Sequence, residues 1–190
     1  NYSIFVAEVA STCNESLLSE YLLNHLEDEK KRLYILNHFL EGFRGTVFRQ
    51  TMFAEFEHDI HVRAQNGEPL TADRLTELYY ELNKKYFGEN IVVDEEIGLE
   101  WARIPHFYYN YYVYQYATGY AAATSLANQI LTEKDVAVER YKDFLKAGSS
   151  DYPIEVLKKA GVDMTSKQPI LEALQVFEEK LNEFEGLLKK

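Results

Sequence analysis

His106 opens the most chemically loaded stretch of the chain, Pro105-His106-Phe107-Tyr108-Tyr109-Asn110-Tyr111-Tyr112-Val113-Tyr114-Gln115-Tyr116-Ala117-Thr118-Gly119-Tyr120. Seven tyrosines stand between Tyr108 and Tyr120, more phenol groups than a core helix needs for packing. Each buried tyrosine must find a partner for its hydroxyl. A helix carrying so many either lines a wet cavity or holds an extended hydrogen-bond network. At about 100° per residue, one continuous helix would place Tyr109, Tyr112, Tyr116 and Tyr120 on one side and Tyr111, Tyr114 and Thr118 on nearly the opposite one. One face is then expected to be core and the other to line a site.

A second candidate lies near the start, where Ile4-Phe5-Val6-Ala7-Glu8-Val9-Ala10-Ser11-Thr12 sets one carboxylate among small and apolar residues. An ionised carboxylate buried alone costs several kcal/mol and about 20 in the idealised limit. A buried Glu8 therefore needs a cation, an arginine or a proton. Glu15 follows seven residues later with Ser11 and Thr12 between, so the four share one helical stripe. Either this stripe faces solvent, or Glu8 is a metal ligand and Glu15 an outer carboxylate that orients one.

The elements that must hold these residues are helical. Nearly every segment has a 3.6-residue apolar period, and only four prolines interrupt it. The expected fold class is all-α, with residues 1–190 as one helical domain in which two lobes are possible. The spacing predicts helices over Ser3 to Leu26, Asp28 to Phe43, a third ending near Ala64, Thr71 to Phe87 and Asp94 to Arg103. The tyrosine helix is predicted from Pro105 to about Leu131, followed by one from Thr132 to Gly148, a short one from Pro153 to Ala160 and a last from Pro169 to Leu188. Gly42 and Gly45 are expected to bracket a break, and Asn66-Gly67-Glu68-Pro69 reads as a turn. Thr71 is a candidate N-cap and Gly88 a helix stop. Thr132, with Asp135 three residues on, resembles a capping box. Residues 89–93 read as a loop or an isolated extended piece.

Composition narrows the function classes. Lys plus Arg number 20 and Asp plus Glu 31, a formal net charge of −11, which argues against nucleic acid because its phosphates would be repelled. Cys13 is the single cysteine; it permits no intramolecular disulfide, is expected to be a buried small apolar group, and favours a reducing, cytoplasmic setting. No apolar run approaches the ~18 residues of a membrane span. The chain starts at Asn1 without Met and enters an apolar helix within a few residues, so more sequence is expected upstream.

Three motifs, Ile4 to Glu15, Phe48-Arg49-Gln50-Thr51-Met52-Phe53-Ala54-Glu55-Phe56-Glu57, and Pro105 to Gly119, together resemble oligoendopeptidase F of the M3, thimet-like zinc metallopeptidases. The resemblance runs in order along the whole chain. It implies the helical carboxy-terminal part of a zincin-like catalytic domain that hydrolyses short peptides. In that family zinc is held by the two histidines of an H-E-x-x-H helix and by a glutamate on the next helix, which Glu8 matches. Glu15 matches the family's carboxylate behind the metal. His106 matches the histidine that stabilises the tetrahedral intermediate, and Tyr111 and Tyr114 match the tyrosines that assist it and bind peptide. The family's longer histidine-to-tyrosine spacing leaves Tyr108 as a candidate for one of those roles. One departure matters: no His-Glu dipeptide occurs in the chain. Two zinc ligands and the general base are expected from the N-terminal remainder of the polypeptide, and the 190 residues alone are expected to be inactive.

Two other classes compete. Glu55-Phe56-Glu57-His58 is a Glu-x-x-His, with His61 one turn on, as in ferritin-like di-metal carboxylate proteins; that architecture needs the motif twice and one copy is present. A non-enzymatic helical interaction module with tyrosines on its binding face fits the composition, and leaves the order and spacing of the three motifs unexplained.

Overall fold

The computed structural model describes residues 4–189. Among them every regular element is helical: α1 Ile4–His25, α2 Glu29–Phe43, a π-helical turn Arg44–Phe48, α3 Arg49–Gln65, α4 Ala72–Phe87, 3₁₀ segments Glu95–Arg103 and Pro105–Tyr108, α5 Tyr114–Glu133, α6 Asp135–Ala147, α7 Pro153–Lys159 and α8 Gln168–Leu188. This is the all-α class expected. Among the described residues no helix is long and apolar enough to cross a membrane.

Several boundaries follow from local chemistry. The Asp28 carboxylate accepts the backbone N–H groups of Lys30 and Lys31, capping α2. Thr71 Oγ1 accepts from Arg74 N at 3.2 Å and starts α4. Gly88, at φ 73°, ends α4 in a backbone region that other residues seldom adopt.

Three expectations need correction. Gly42 and Gly45 do not break the chain: i→i+5 bonding carries the helix across Arg44–Phe48 into α3, with Phe43 and Val47 buried. Thr132 is no cap, because its hydroxyl donates to Asn128 O at 2.8 Å inside α5; a hydroxyl committed to its own helix cannot start the next, and α6 begins at Asp135 after Lys134 at φ 55°. The tyrosine run is not one helix. A 3₁₀ turn over Pro105–Tyr108 gives way to Asn110 and Tyr111 at φ 48° and 59° before α5 begins at Tyr114. The unbroken helix from Pro105 is therefore absent, although Tyr109, Tyr112 and Tyr116 remain linked by ring contacts on one side.

The chain divides into two compact units, the first formed by residues 1–47 and 118–190 and the second by 48–117. In the first, α1 and α8 both pack on α2, and α6 packs on α7. Its core joins Val9 and Cys13 of α1 with Ala122, Ala123 and Leu126 of α5, Phe144 of α6 and Leu157 of α7. A second cluster sets Phe39, Leu40 and Phe43 of α2 against Ala121 and Ala173, with the Phe177 ring stacked on Phe43 at 4.6 Å. Small residues fill the central turns of α5, where Gly119 and Ala121 through Ala127 are buried and Tyr120 is partly so. Cys13 is buried as expected, and burial pushes its thiol up to about 11, which leaves it poorly nucleophilic.

The second unit is built on α3 and α4, with the Glu95–Arg103 segment packed closely on α4. Gly98 permits that approach: a Cβ there would lie 2.9 Å from Thr76 Cγ2 and 3.1 Å from Thr76 O. Trp101 Nε1 donates to Thr76 Oγ1 at 3.3 Å, consistent with a structural role. Met52, Phe53, Phe56, Tyr79, Ile104 and Val113 form the core.

Glu100 ties these pieces together. Buried, it accepts Tyr79 Oη at 2.7 Å and Arg49 Nη2 at 2.6 Å, and pairs with Arg103. Burial raises its carboxyl, but the Tyr79 and Arg49 hydrogen bonds and the Arg49 and Arg103 charges outweigh it and hold the group below the usual carboxylate range. A carboxyl depressed on folding stabilises the fold above its unfolded value. That contribution is lost as the pH falls through the folded value. Breaking a buried pair costs about 3–5 kcal/mol, and Arg49 reaches solvent, so Glu100→Leu is expected to cost about 3 kcal/mol at neutral pH. Urea unfolding of wild type and variant should show this gap at pH 7 and a smaller one in acid. An equal gap at both pH values would show that packing, not charge, is what Glu100 contributes.

Candidate functional site

Ile104 closes the Glu95–Arg103 segment in extended backbone, and Pro105, with its preset φ, begins the turn that presents His106. Three tyrosines surround the imidazole. Tyr112 stacks on it at 5.5 Å and 17°, while Tyr109 and Tyr116 meet it edge-on. Tyr116 Oη lies 3.4 Å from His106 Nε2. The direction of that bond depends on the tautomer. If Tyr116 donates, the ring's N–H is on Nδ1; if Nε2 carries the proton, Tyr116 accepts. Either way this hydroxyl helps fix which nitrogen can offer a proton. An unbroken helix would have set Tyr116 opposite Tyr114, away from the site. The structure instead makes it a partner of His106, and the break at Asn110 is the cause.

The break is expensive by itself. Left-handed backbone costs roughly 1–2 kcal/mol per L-residue, less for Asn, whose short polar side chain tolerates it, and such outliers in bulky residues concentrate at functional sites. Tyr111 is the costly position. Its N–H donates to Glu57 Oε1 at 2.7 Å, a contact that works against the strain. Its ring lies 4.7 Å from that of His61. Tyr108 is 81% exposed, and Tyr111 and Tyr114 are also open to solvent.

Sequence reasoning missed Glu57. It is 1% exposed among the core residues of α3. The available signal was an acid four residues after Phe53, at a position where the apolar period calls for a hydrophobe.

Glu8 and Glu15 belong to the first unit. Burial of Val6, Val9 and Cys13 sets the inner face of α1, and the Glu8–Glu15 stripe lies away from it. Glu8 is half-buried and Glu15 exposed. Ser11 Oγ donates to the backbone O of Glu8, not to its carboxylate. Burial pushes the Tyr120 phenol up to about 12, and the Glu15 charge adds to the shift. Among the described residues no three His, Cys, Asp or Glu side chains form a group that could hold a metal ion. Glu8 is a suitable oxygen donor for zinc, but the residues present do not by themselves fit the ion.

Of the Glu-x-x-His on α3, His58 is exposed and Glu55 is engaged elsewhere. Glu55 accepts from Lys85 Nζ at 2.5 Å and from Tyr86 Oη at 2.8 Å, and His61 packs on Tyr111. Neither is presented as one of a ligand pair.

The model of peptidase family M3 matches residues 1–176, and the chain belongs to that family. It is 76% identical over 190 residues to oligopeptidase PepF of Bacillus subtilis (strain 168), covering 100% of this chain and 28% of that protein. It is 57% identical to group B oligopeptidase PepB of Streptococcus agalactiae serotype III (strain NEM316), covering 100% of this chain and 32% of the relative. The crystal structure of oligoendopeptidase-F from Enterococcus faecium superposes with a TM-score of 0.95 at 55% identity, covering 99% of this chain and 36% of that one. The chain thus spans less than a third of the length of these curated relatives.

Proposed function

We propose that these residues are part of the catalytic domain of a zinc metalloendopeptidase that hydrolyses short peptides. Membership of family M3 over residues 1–176 is the observation that carries this reading, and the names of the relatives support oligopeptides as substrates. Glu8 supplies one zinc ligand, with Glu15 behind it. An H-E-x-x-H helix elsewhere in the same polypeptide supplies two more and the general base. When bound, zinc would lower the pKa of its water towards about 7 and polarise the scissile carbonyl.

The chain's own residues do the rest. His106 and Tyr114 donate hydrogen bonds to the oxygen on which charge develops, a role for which preorganised donors are effective because they need no reorientation during reaction. Tyr116 and Tyr112 hold the imidazole. Tyr108 and Tyr111 contact the peptide, and the open position of their phenols supports this. The single, buried cysteine is consistent with a cytoplasmic enzyme.

Metal dependence provides the test. The full-length protein is expected to cleave an internally quenched peptide, to stop on chelation and to recover with zinc. The isolated 190-residue chain, with one ligand where a catalytic site uses three, is expected to bind zinc more weakly than micromolar and to cleave nothing. Chelator-resistant cleavage would contradict the reading. So would tight stoichiometric zinc binding by the isolated chain that is lost on mutating His58 or His61 but not Glu8, which would favour a ferritin-like site.

A further inference from the structure

We propose that Glu57, seconded by His61, is a positioning residue that fixes Tyr111 and, through the next residue, the imidazole of His106; the proposal rests on the peptidase reading above. Glu57 and His61 are four residues apart on α3 and so share one face. From that face Glu57 Oε1 takes the Tyr111 N–H at 2.7 Å, while the His61 ring lies 4.7 Å from the Tyr111 ring. Backbone and side chain of one tyrosine are therefore gripped by a single helix.

The choice of residue argues for this role. Glu57 is 1% exposed beside Met52, Phe53 and Phe56, where leucine would pack without desolvating a carboxylate. Its hydrogen bond goes to the backbone that can least support itself, a non-glycine residue at φ 59° preceded by another at φ 48°. Tyr112 follows directly and stacks on His106. Loss of the Glu57 bond releases the turn towards ordinary right-handed backbone, which would move the Tyr111 phenol and loosen the Tyr112–His106 stack. A device of this kind places a loop phenol against a rigid helix.

The test uses the full-length enzyme as wild type, Glu57→Gln, Tyr111→Phe and the double variant. Glutamine keeps the volume and one acceptor oxygen and replaces the other by an NH2 group, so the variant is expected to fold with a weaker acceptor for the Tyr111 N–H. Glu57→Gln is expected to speed amide exchange at Tyr111 about tenfold, the difference between a charge-assisted and a neutral bond, and to lower kcat/KM by a similar factor with little change in Tm. Because Glu57 acts through Tyr111, adding it to Tyr111→Phe should reduce kcat/KM less than twofold further, the non-additivity of coupled residues. Multiplicative losses in the double variant would overturn the proposal, as would unchanged exchange at Tyr111. Faster exchange with full activity in both single variants would overturn the kinetic role and place the fault in the peptidase reading of Tyr111 instead of in the Glu57 bond.

Discussion

Tyr114→Phe, which removes one hydroxyl, is expected to lower kcat about 100- to 1000-fold in the full-length enzyme while KM and Tm change little. Losing a single preorganised oxyanion donor costs about 2.7–4 kcal/mol, and Tyr114 stands exposed at the first residue of α5, where its hydroxyl contributes little to the core. A donor used in the transition state is lost from kcat without weakening ground-state binding. His106→Ala should lower turnover to a similar degree. Tyr116→Phe should give a distinct, smaller effect. From a continuous helix it would be silent, but its hydroxyl lies 3.4 Å from His106 Nε2, a long bond whose loss is expected to cost about 1 kcal/mol, roughly fivefold in kcat. Steady-state cleavage of a short quenched peptide, read beside thermal unfolding, separates the three variants. Equal kinetics for Tyr114→Phe and Tyr116→Phe would remove the distinction and recast the tyrosine run as a packing network.

The helices that hold the site were readable because their signals are local. Asp28, Thr71 and Gly88 act on backbone groups within four residues, and the buried face of α1 follows from the spacing of Val6, Val9 and Cys13. The tyrosine segment was misread for the opposite reason. Its left-handed turn at Asn110 and Tyr111 is supported by Glu57, 54 residues earlier in the chain, and no local periodicity reports a bond of that range. Asn110 was the one local hint, as a residue that tolerates left-handed backbone within a run of rings. Thr132 shows a different ambiguity. Its spacing to Asp135 suits a capping box, yet the same hydroxyl can bond back to its own helix, and Asn128 O provides the acceptor. The roles proposed for Glu8 and His106 rest on resemblance to a family and not on burial or spacing, since a half-buried glutamate on a helix has many uses.

The central claim is that Glu8 is a zinc ligand, and the metal content of one variant tests it most directly. Glu8→Gln replaces an anionic oxygen donor by a neutral amide of the same size, so the fold should persist while the metal site loses a third of its protein ligands. Glu15→Gln serves as the internal comparison: a carboxylate that only orients a ligand is expected to reduce metal affinity about 10- to 100-fold at most. Purified full-length enzyme, dialysed against a weak chelator and assayed for zinc and for peptide cleavage, is expected to contain near-stoichiometric zinc as wild type, a reduced amount as Glu15→Gln, and almost none as Glu8→Gln, with activity following metal content. Wild-type zinc occupancy and wild-type hydrolysis in a folded Glu8→Gln enzyme would contradict the assignment.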